Sequence, residues 1–169
     1  PDELPEFRVG IEICEELWVP DTPSVRLALA GATVIVNPSA GCMLAGRLAE
    51  RRDRVKSQSG QLKAAYLYAN AGEGESSTDL VYAGQGYIAE AGTILAEGLP
   101  FVSDYISTEI DVELLCSQRK KMSSWNPKTD GCRKVRYSYR SLAEKELPEL
   151  TLSRRIAAAP FLPERDAQK

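Results

Sequence analysis

The sequence predicts an α/β fold in which helices flank sheets. Three observations carry this prediction: a β-branched run at residues 32–36, an apolar stripe with helical spacing over residues 43–65, and strand-like segments on both sides of it. With 169 residues, of which 43% are hydrophobic, the chain is long enough for one globular domain with a sizeable core.

The first strand is predicted at residues 7–14, where apolar residues occupy the odd positions. Cys14 falls on the other face of this strand, together with Arg8 and Glu12. Active sites of α/β folds gather at the carboxyl ends of strands, and Cys14 stands at such an end.

The middle of the chain continues the alternation of helices and strands. A helix with a threonine cap and a proline in its first turn is expected over residues 22–31, followed by a buried strand at 32–36 and a turn at 37–41. The helix over residues 43–65 comes next. Arg51 lies near its apolar stripe, where a partly buried ion-pair residue is expected.

The later segments predict additional strands and a short helix. A strand is expected at residues 65–70, a loop at 72–79, and then hairpins whose strands are broken at glycines. Another strand is predicted at 101–110 and a helix at 112–122, after which the composition becomes polar and contains scattered prolines, as in an extended linker.

Charge is distributed unevenly along the chain, although the net charge is only −3. Residues 1–117 carry a formal charge of −10, and residues 118–169 carry +7. This split favours a basic tail that lies over its own acidic body or over a neighbouring subunit, rather than a nucleic-acid-binding arm.

The composition restricts the chemistry that the chain can perform. Histidine is absent, which excludes Ser-His and Cys-His pairs and histidine metal ligands within this chain. The four cysteines, at positions 14, 42, 116 and 132, have neither zinc-site spacing nor a CxxC pair, so neither a metal site nor a disulfide scaffold is expected. Their pattern and the lack of a membrane-spanning run suggest a reduced, cytoplasmic setting.

By its residues alone, Cys14 has two interpretations. It is either a packing cysteine or a nucleophile exposed by the turn that follows its strand. Because Glu15 and Glu16 disfavour a neighbouring thiolate, the nucleophile interpretation requires a cationic partner, and none is close in sequence.

Four stretches of the sequence carry recognisable motifs: GIEICEELWVP at 10–20, LAGA at 29–32 leading to NPSA at 37–40, AAYLY at 64–68 and GEGESSTDL at 72–80. Together they resemble the glutaminase domain of the glutamine-dependent NAD synthetases, a family within the nitrilase (carbon-nitrogen hydrolase) superfamily. The Cys-Glu and Asn-Pro-Ser elements point only to the superfamily, whereas the GEGESxTD run narrows the resemblance to the synthetases. The resemblance covers about residues 9–122.

The resemblance implies a portion of a four-layer α-β-β-α sandwich. Residues 1–122 would be a partial glutaminase domain, and residues 123–169 a linker toward an absent ATP-dependent synthetase domain. The PFLP run at 160–163 resembles the segment that leads into that domain. Cys14 matches the nucleophile of the family's Glu-Lys-Cys set, which would attack the glutamine carboxamide carbon, form a thioester and release ammonia.

In that family the Glu and the Lys lie N-terminal to the Cys, so both are expected outside this chain. We therefore expect a fragment with little glutaminase activity of its own, whose exposed sheet surface favours homo-oligomerisation or instability. The ammonia would serve to amidate deamido-NAD in the absent domain, with ATP and Mg. No cofactor is expected for this chain, which lacks that domain's Ser-Gly-Gly-x-Asp loop.

The resemblance also assigns binding positions for the substrate, L-glutamine. Glu15 would receive its α-ammonium group and Trp18 would limit the pocket, although a solvated charge and a packed Trp are the alternatives. Arg47 would suit the α-carboxylate. Gly41 stands where the family usually has a Ser that binds glutamine, so Ser39 or backbone amides would have to compensate.

Two other interpretations remain open at the level of sequence. One is a different nitrilase-type amidase that acts on another small amide. The other is a noncatalytic assembly module that uses the basic tail and the exposed sheet for partner contact.

Overall fold

A computed structural model describes residues 1–129, 131–138 and 151–155, and these residues contain a five-stranded sheet flanked by three α-helices. The sheet follows chain order, with β1 to β3 parallel and β3 to β5 antiparallel. The predicted α/β fold is confirmed. The strands are β1 (Val9–Ile11), β2 (Val34–Ser39), β3 (Ala65–Asn70), β4 (Tyr87–Glu90) and β5 (Thr93–Glu97), and the helices are α1 (Pro23–Leu29), α2 (Arg47–Leu62) and α3 (Val112–Lys121).

Helices α1 and α2 connect the three parallel strands and pack on one face of the sheet, which we call the helix face. Ile35 of β2 pairs with Gly10 of β1 and Tyr66 of β3 on this face. Ile35 and Tyr66 are fully buried against Val55 and other apolar residues of the helices. Burial of these side chains fixes the register of the parallel strands, because a shift by one residue would expose them.

Strand β1 is shorter than predicted, and its apolar positions do not face this core. Val9 and Ile11 are 47% and 62% exposed, whereas Glu12, on the other side of the chain, is fully buried. The alternation correctly predicted a strand. It did not show that the helices cover the face that carries Glu12.

Strand β2 extends through Ser39, so the turn predicted at residues 37–41 is wrong. The N–H of Val34 and the carbonyl of Val36 bond toward β1, which ends at Ile11. Pro38 points to the same side, beyond the end of β1, where no partner requires its missing N–H. A proline is therefore compatible with this strand.

Helix α2 begins at Arg47, four residues later than predicted. Gly46, which precedes it, has a left-handed φ of 77° that ends the preceding loop. Leu44, part of the predicted stripe, is exposed in this loop, while Val55 and Leu62 are buried. The helix α1 is close to its prediction, but the Thr22 hydroxyl forms no capping bond and instead accepts hydrogen bonds from Gln58 and Ser24.

Of the predicted hairpins, one forms, between β4 and β5, whereas residues 71–86 contain no strand. Ala91 and Gly92, with φ of 47° and 93°, form the tight turn between β4 and β5. The strand predicted at residues 101–110 is wrong, because these residues pair with no described strand and Phe101 has a positive φ of 60°. The helix predicted at 112–122 is confirmed as α3.

The face of the sheet opposite the helix face is apolar and partly uncovered. Helix α3 covers one end of it, where Leu115 packs with Val34 and Ala65. The remainder of this face, at the β1 edge and at the carboxyl ends of β2 and β3, is exposed, and we call it the open face. It is formed by Val9, Ile11, Pro38 and Ala69.

The described parts of the basic tail contact the acidic body. Arg136 pairs with Asp2 at 2.8 Å, and Arg154 pairs with the buried carboxylate of Glu90. These contacts agree with a tail that lies over its own chain. The remainder of the predicted linker, including the PFLP run at 160–163, lies outside the described residues, and the predicted division into residues 1–122 and 123–169 stays a prediction.

Candidate active site

Cys14 lies just beyond the carboxyl end of β1 and begins a 3-10 turn (Cys14–Trp18). Its φ is 51°, a left-handed conformation that is uncommon for a residue with a side chain. Such a conformation costs about 1–3 kcal/mol and concentrates at active sites, because only surrounding contacts can maintain it. The residue is partly exposed. The turn therefore presents a thiol on a strained backbone at an edge of the sheet.

A chain of buried hydrogen bonds leads from Glu12 to the backbone of Cys14. The Tyr66 hydroxyl donates to the Glu12 carboxylate and accepts from Asn37 Nδ2 at 3.1 Å. Asn37 Nδ2 also donates to the carbonyl of Cys14 at 3.4 Å. Burial and the adjacent Glu12 carboxylate raise the pKa of Tyr66 far above its usual range, so its hydroxyl stays protonated and can donate.

Ser39, at the end of β2, joins this chain from the other side. Its hydroxyl donates to Asn37 Oδ1 at 2.5 Å. Burial raises the pKa of the Tyr68 hydroxyl, while Ser39 and Arg51 act in the opposite direction. Tyr68 donates to Asn70 Oδ1 at 3.2 Å, and Asn70 pairs with Ser39 across the sheet, so the ends of β2 and β3 carry neighbouring polar groups.

Gly41 is held by side chains rather than left free for a ligand. Its N–H donates to Asn70 Oδ1 at 2.8 Å, and its carbonyl accepts from Asn70 Nδ2 at 3.0 Å. A Cβ atom at this position would lie 2.9 Å from Arg51 Nη2 and 3.2 Å from the Tyr68 hydroxyl. The Ser that the resemblance leads one to expect would require Arg51 to move. The Gly41 amide, which was one candidate to compensate for the Ser, is already engaged.

Arg51 is only 2% exposed, and the ion pair expected for it does not form among the described residues. Its Nη2 donates to the carbonyls of Gly41 and Cys42 at 3.2 and 3.3 Å, and its guanidinium lies 5.4 Å from the centre of the Tyr68 ring. In place of a carboxylate, backbone dipoles and an aromatic face stabilise the charge. Arg51 thus ties the loop after β2 to α2.

Arg47 and Trp18 lie against each other. The Arg47 guanidinium is 5.0 Å from the centre of a Trp18 ring, and its Nη1 donates to Glu50 at 2.8 Å. Glu15 is exposed on the same 3-10 turn as Trp18. A cation and an aromatic face are therefore in contact, and the exposed Glu15 carboxylate follows directly after Cys14 in the chain.

Sequence reasoning missed the roles of Glu12, Tyr66 and Asn37. Glu12 was placed on the same strand face as Cys14, and an acidic residue within an otherwise apolar strand was the available signal. Asn37 was assigned to a turn, and nothing in the sequence linked it to Tyr66, which is 29 residues away.

An open groove of about 450 Å³ begins at Asn70 and is lined further on by Gly84 and residues 101–105, but none of the predicted site residues lines it. Among the described residues, no group of three His, Cys, Asp or Glu side chains is placed to hold a metal ion. None of the described helices is both long and apolar enough to cross a membrane.

Comparison with known proteins shows that this chain is similar in sequence to glutamine-dependent NAD(+) synthetases. The glutamine-dependent NAD(+) synthetase of Mycobacterium tuberculosis is 39% identical over 166 residues, which are 95% of this chain and 24% of that protein. The enzyme of the same name from Rattus norvegicus is 36% identical over 121 residues, 70% of this chain and 17% of that protein. The chain thus spans about a quarter of the mycobacterial relative, and the resemblance to this group of synthetases is confirmed.

The fold has relatives among solved structures. Saccharomyces cerevisiae Nit3, a member of branch 10 of the nitrilase superfamily, superposes with a TM-score of 0.58 at 21% identity, covering 69% of this chain and 42% of that one. The family model for carbon-nitrogen hydrolases matches residues 2–120. The chain is therefore a member of the carbon-nitrogen hydrolase family.

Proposed function

We propose that this chain forms part of the glutaminase of a glutamine-dependent NAD synthetase and that Cys14 is its nucleophile. The observation that carries the proposal is the left-handed backbone of Cys14 at the end of β1, held by a buried hydrogen-bond chain. The similarity to synthetases supports glutamine as the substrate.

The reaction proceeds through a thioester. The Cys14 thiolate attacks the carboxamide carbon of glutamine, a C–S bond forms, the C–N bond breaks, and the nitrogen leaves as ammonia after taking up a proton. Water then attacks the same carbon, the C–S bond breaks and glutamate is released. A Glu general base and a Lys from a part of the polypeptide outside this chain complete the set, so the chain alone hydrolyses little or no glutamine.

The side chains near Cys14 bind the two charged ends of glutamine. Arg47, fixed against Trp18, receives the α-carboxylate, and Glu15 receives the α-ammonium group. Because the Ser39 hydroxyl donates to Asn37, its lone pairs remain to accept an N–H of the substrate. Ser39 then supplies a contact to glutamine that Gly41 lacks.

The wider role involves regions beyond this chain. Ammonia passes to an ATP-dependent synthetase region, which uses ATP and Mg to amidate deamido-NAD, while the glutaminase chain itself requires no cofactor. The open face, with Ile11 62% exposed, supports burial against other segments of the polypeptide or a second subunit in a homo-oligomer. We propose the cytoplasm as the location of this enzyme.

Covalent labelling tests this function directly. The full-length polypeptide is incubated with a diazoketone analogue of glutamine, and the labelled peptide is identified by mass spectrometry. We expect one adduct on Cys14 that is suppressed by glutamine, absent in Cys14→Ala, and retained in the matched control Cys42→Ala. Labelling that glutamine does not suppress, or that survives Cys14→Ala, would show the assignment to be wrong.

A further inference from the structure

Glu12 is a buried charged residue that the proposed reaction does not use. Its side chain is fully buried, and none of the described Lys or Arg residues forms an ion pair with it. Two hydrogen bonds stabilise its carboxylate: one from the Tyr66 hydroxyl and one from the N–H of Ser24 at 2.8 Å. A buried carboxylate is costly, so its place beside the Cys14 turn calls for a function.

The carboxylate determines the direction of every hydrogen bond that follows it. The Ser24 N–H and the Tyr66 hydroxyl both donate to Glu12, and Tyr66 turns a lone pair toward Asn37, from which it accepts. The amide nitrogen of Asn37 then faces Tyr66 and the Cys14 carbonyl, while its oxygen faces the Ser39 hydroxyl. The orientation of the Asn37 amide is thus decided three side chains away from the nucleophile.

We propose that Glu12 is a positioning residue that, through Tyr66 and Asn37, holds the Cys14 carbonyl and with it the left-handed backbone of the nucleophile. This inference rests on the proposed role of Cys14. A strained conformation persists only where several contacts determine it, and the bond from Asn37 is the side-chain contact that reaches the Cys14 backbone from the sheet. Glu12 orients the Asn37 amide for this contact and does not itself touch the substrate.

The variant Glu12→Gln changes the direction of the hydrogen bonds at residue 12 while it preserves the size of the side chain. A glutamine has the same size, but if its oxygen accepts from Ser24, its NH2 group faces the Tyr66 hydroxyl as a second donor. The Tyr66 hydroxyl then loses its acceptor at residue 12, and if it donates to Asn37 instead, the Asn37 amide flips and releases the Cys14 carbonyl. Tyr66→Phe interrupts the same chain by removing the hydroxyl.

A matched control is Tyr87→Phe. Tyr87 is also a fully buried tyrosine of the helix-face core, but its hydroxyl bonds to Gln85 Oε1 at 2.6 Å and the Leu48 carbonyl at 3.2 Å, neither of which leads to Cys14. It therefore measures the general effect of removing a buried hydroxyl. Cys42, which is also partly exposed, serves as a reference thiol within each molecule.

The experiment measures alkylation of Cys14 and Cys42 by iodoacetamide in the full-length polypeptide, together with kcat and KM for glutamine hydrolysis. We expect Glu12→Gln and Tyr66→Phe each to lower the ratio of Cys14 to Cys42 rates, and kcat, by about 10- to 100-fold, the scale of a nucleophile displaced by about an ångström. KM and the Tyr87→Phe values should stay near the parental ones. The double variant Glu12→Gln/Tyr66→Phe should react no more slowly than the slower single variant, since both interrupt one chain.

The outcomes separate the two proposals. If Cys14 labels in the parent with suppression by glutamine, but both variants react at the parental rate, the positioning role of Glu12 is wrong and the glutaminase assignment stands. Equal losses at Cys14, at Cys42 and in Tyr87→Phe would likewise overturn it, because they would reflect general loosening. Absence of glutamine-suppressible labelling in the parent would overturn the proposed function itself.

Discussion

The two faces of the sheet differ in how completely the described residues cover their side chains and form hydrogen bonds with them. On the helix face, the buried polar residues Glu12, Asn37 and Tyr66 are joined by hydrogen bonds that end at Cys14. On the open face, Val9 and Ile11 are 47% and 62% exposed among the described residues. The described residues thus contain the hydrogen-bonded support of the proposed nucleophile, whereas the packing surface of the open face is incomplete. The hydrogen-bonded chain depends on the local geometry of the helix face, whereas the open face depends on which other segment or subunit packs against it.

The largest expected effect concerns Cys14, the proposed nucleophile at the end of the hydrogen-bonded chain. Cys14→Ser should lower glutamine-dependent ammonia release by the full-length polypeptide about a thousandfold or more, because a serine hydroxyl without a histidine is a poor nucleophile. Ammonia release is measured by a coupled assay. Cys42→Ser is the control and should retain parental activity. A comparable loss in the control would show that the whole loop region, rather than Cys14, carries the effect.

The second prediction concerns the open face. If the remainder of the polypeptide or a second subunit buries Ile11, then Ile11→Ser should destabilise that assembly by about 2–3 kcal/mol, the cost of losing a buried aliphatic side chain. Thermal unfolding and sedimentation of the full-length polypeptide measure this. Leu99→Ser is matched, since Leu99 is 69% exposed but lies outside the sheet. If both variants behave alike, the open face is solvent-exposed in the assembled protein.

A smaller effect is expected next to the open face, where α3 covers the same side of the sheet. Arg119 is buried, donates to the carbonyls of Ala32, Leu62 and Lys63, and lies 4.9 Å from the centre of a Trp125 ring. Burial lowers its pKa to about 10, so it remains charged at neutral pH. Arg119→Met should destabilise this end locally by about 1–3 kcal/mol, since it leaves buried carbonyls unpaired.

Hydrogen-exchange mass spectrometry of the peptide that spans residues 58–65 measures this local change. Arg136→Met, which removes an exposed ion pair with Asp2, is the control and should leave the exchange of this peptide unchanged. Parental exchange in Arg119→Met would contradict the prediction.

The smallest effect appears in an alkaline titration and concerns the helix face alone. Burial raises the pKa of Tyr87 to about 12 and that of Tyr66 and Tyr68 above its ordinary value. Because the folded-state pKa is higher than the unfolded one, the stability associated with these groups is complete below pH 10 and decreases as the pH rises through the folded-state pKa.

Absorbance at 295 nm should therefore show that part of the seven-tyrosine signal ionises only at higher pH, or together with unfolding. The same chain in strong denaturant is the control and should titrate in a single step. Identical curves in the two conditions would contradict the burial of these hydroxyls.

Much of the fold was accessible from the sequence because it depends on short-range patterns. The β-branched run at 32–36, the strand at 65–70 and the helix at 112–122 were found where expected, within a few residues. The errors occurred where tertiary pairing overrides local preference: Pro38 is accommodated in β2 because β1 has already ended, and residues 101–110 have strand composition but no described partner.

The candidate site, like the fold, was accessible from the sequence only in part. Motif resemblance singled out Cys14, Glu15, Trp18, Ser39 and Arg47, and their roles stay predictions; in the structure Arg47 lies against Trp18, and Ser39 bonds to Asn37. The ion pair expected for Arg51 does not form among the described residues, because Arg51 donates to the carbonyls of Gly41 and Cys42 instead. Partners separated by tens of residues cannot be paired from one sequence.

The sequence by itself determined the order of strands and helices, the position of Cys14 at the end of a strand and the resemblance to a family, since these reside in local periodicity and short motifs. Only the tertiary structure decided which face of β1 is buried, and hence that Glu12 is enclosed while Ile11 is exposed. The physical reason is that an alternating pattern defines two faces without stating which one the helices cover. That choice depends on contacts among distant segments, which also join Glu12, Tyr66 and Asn37 into one chain behind Cys14.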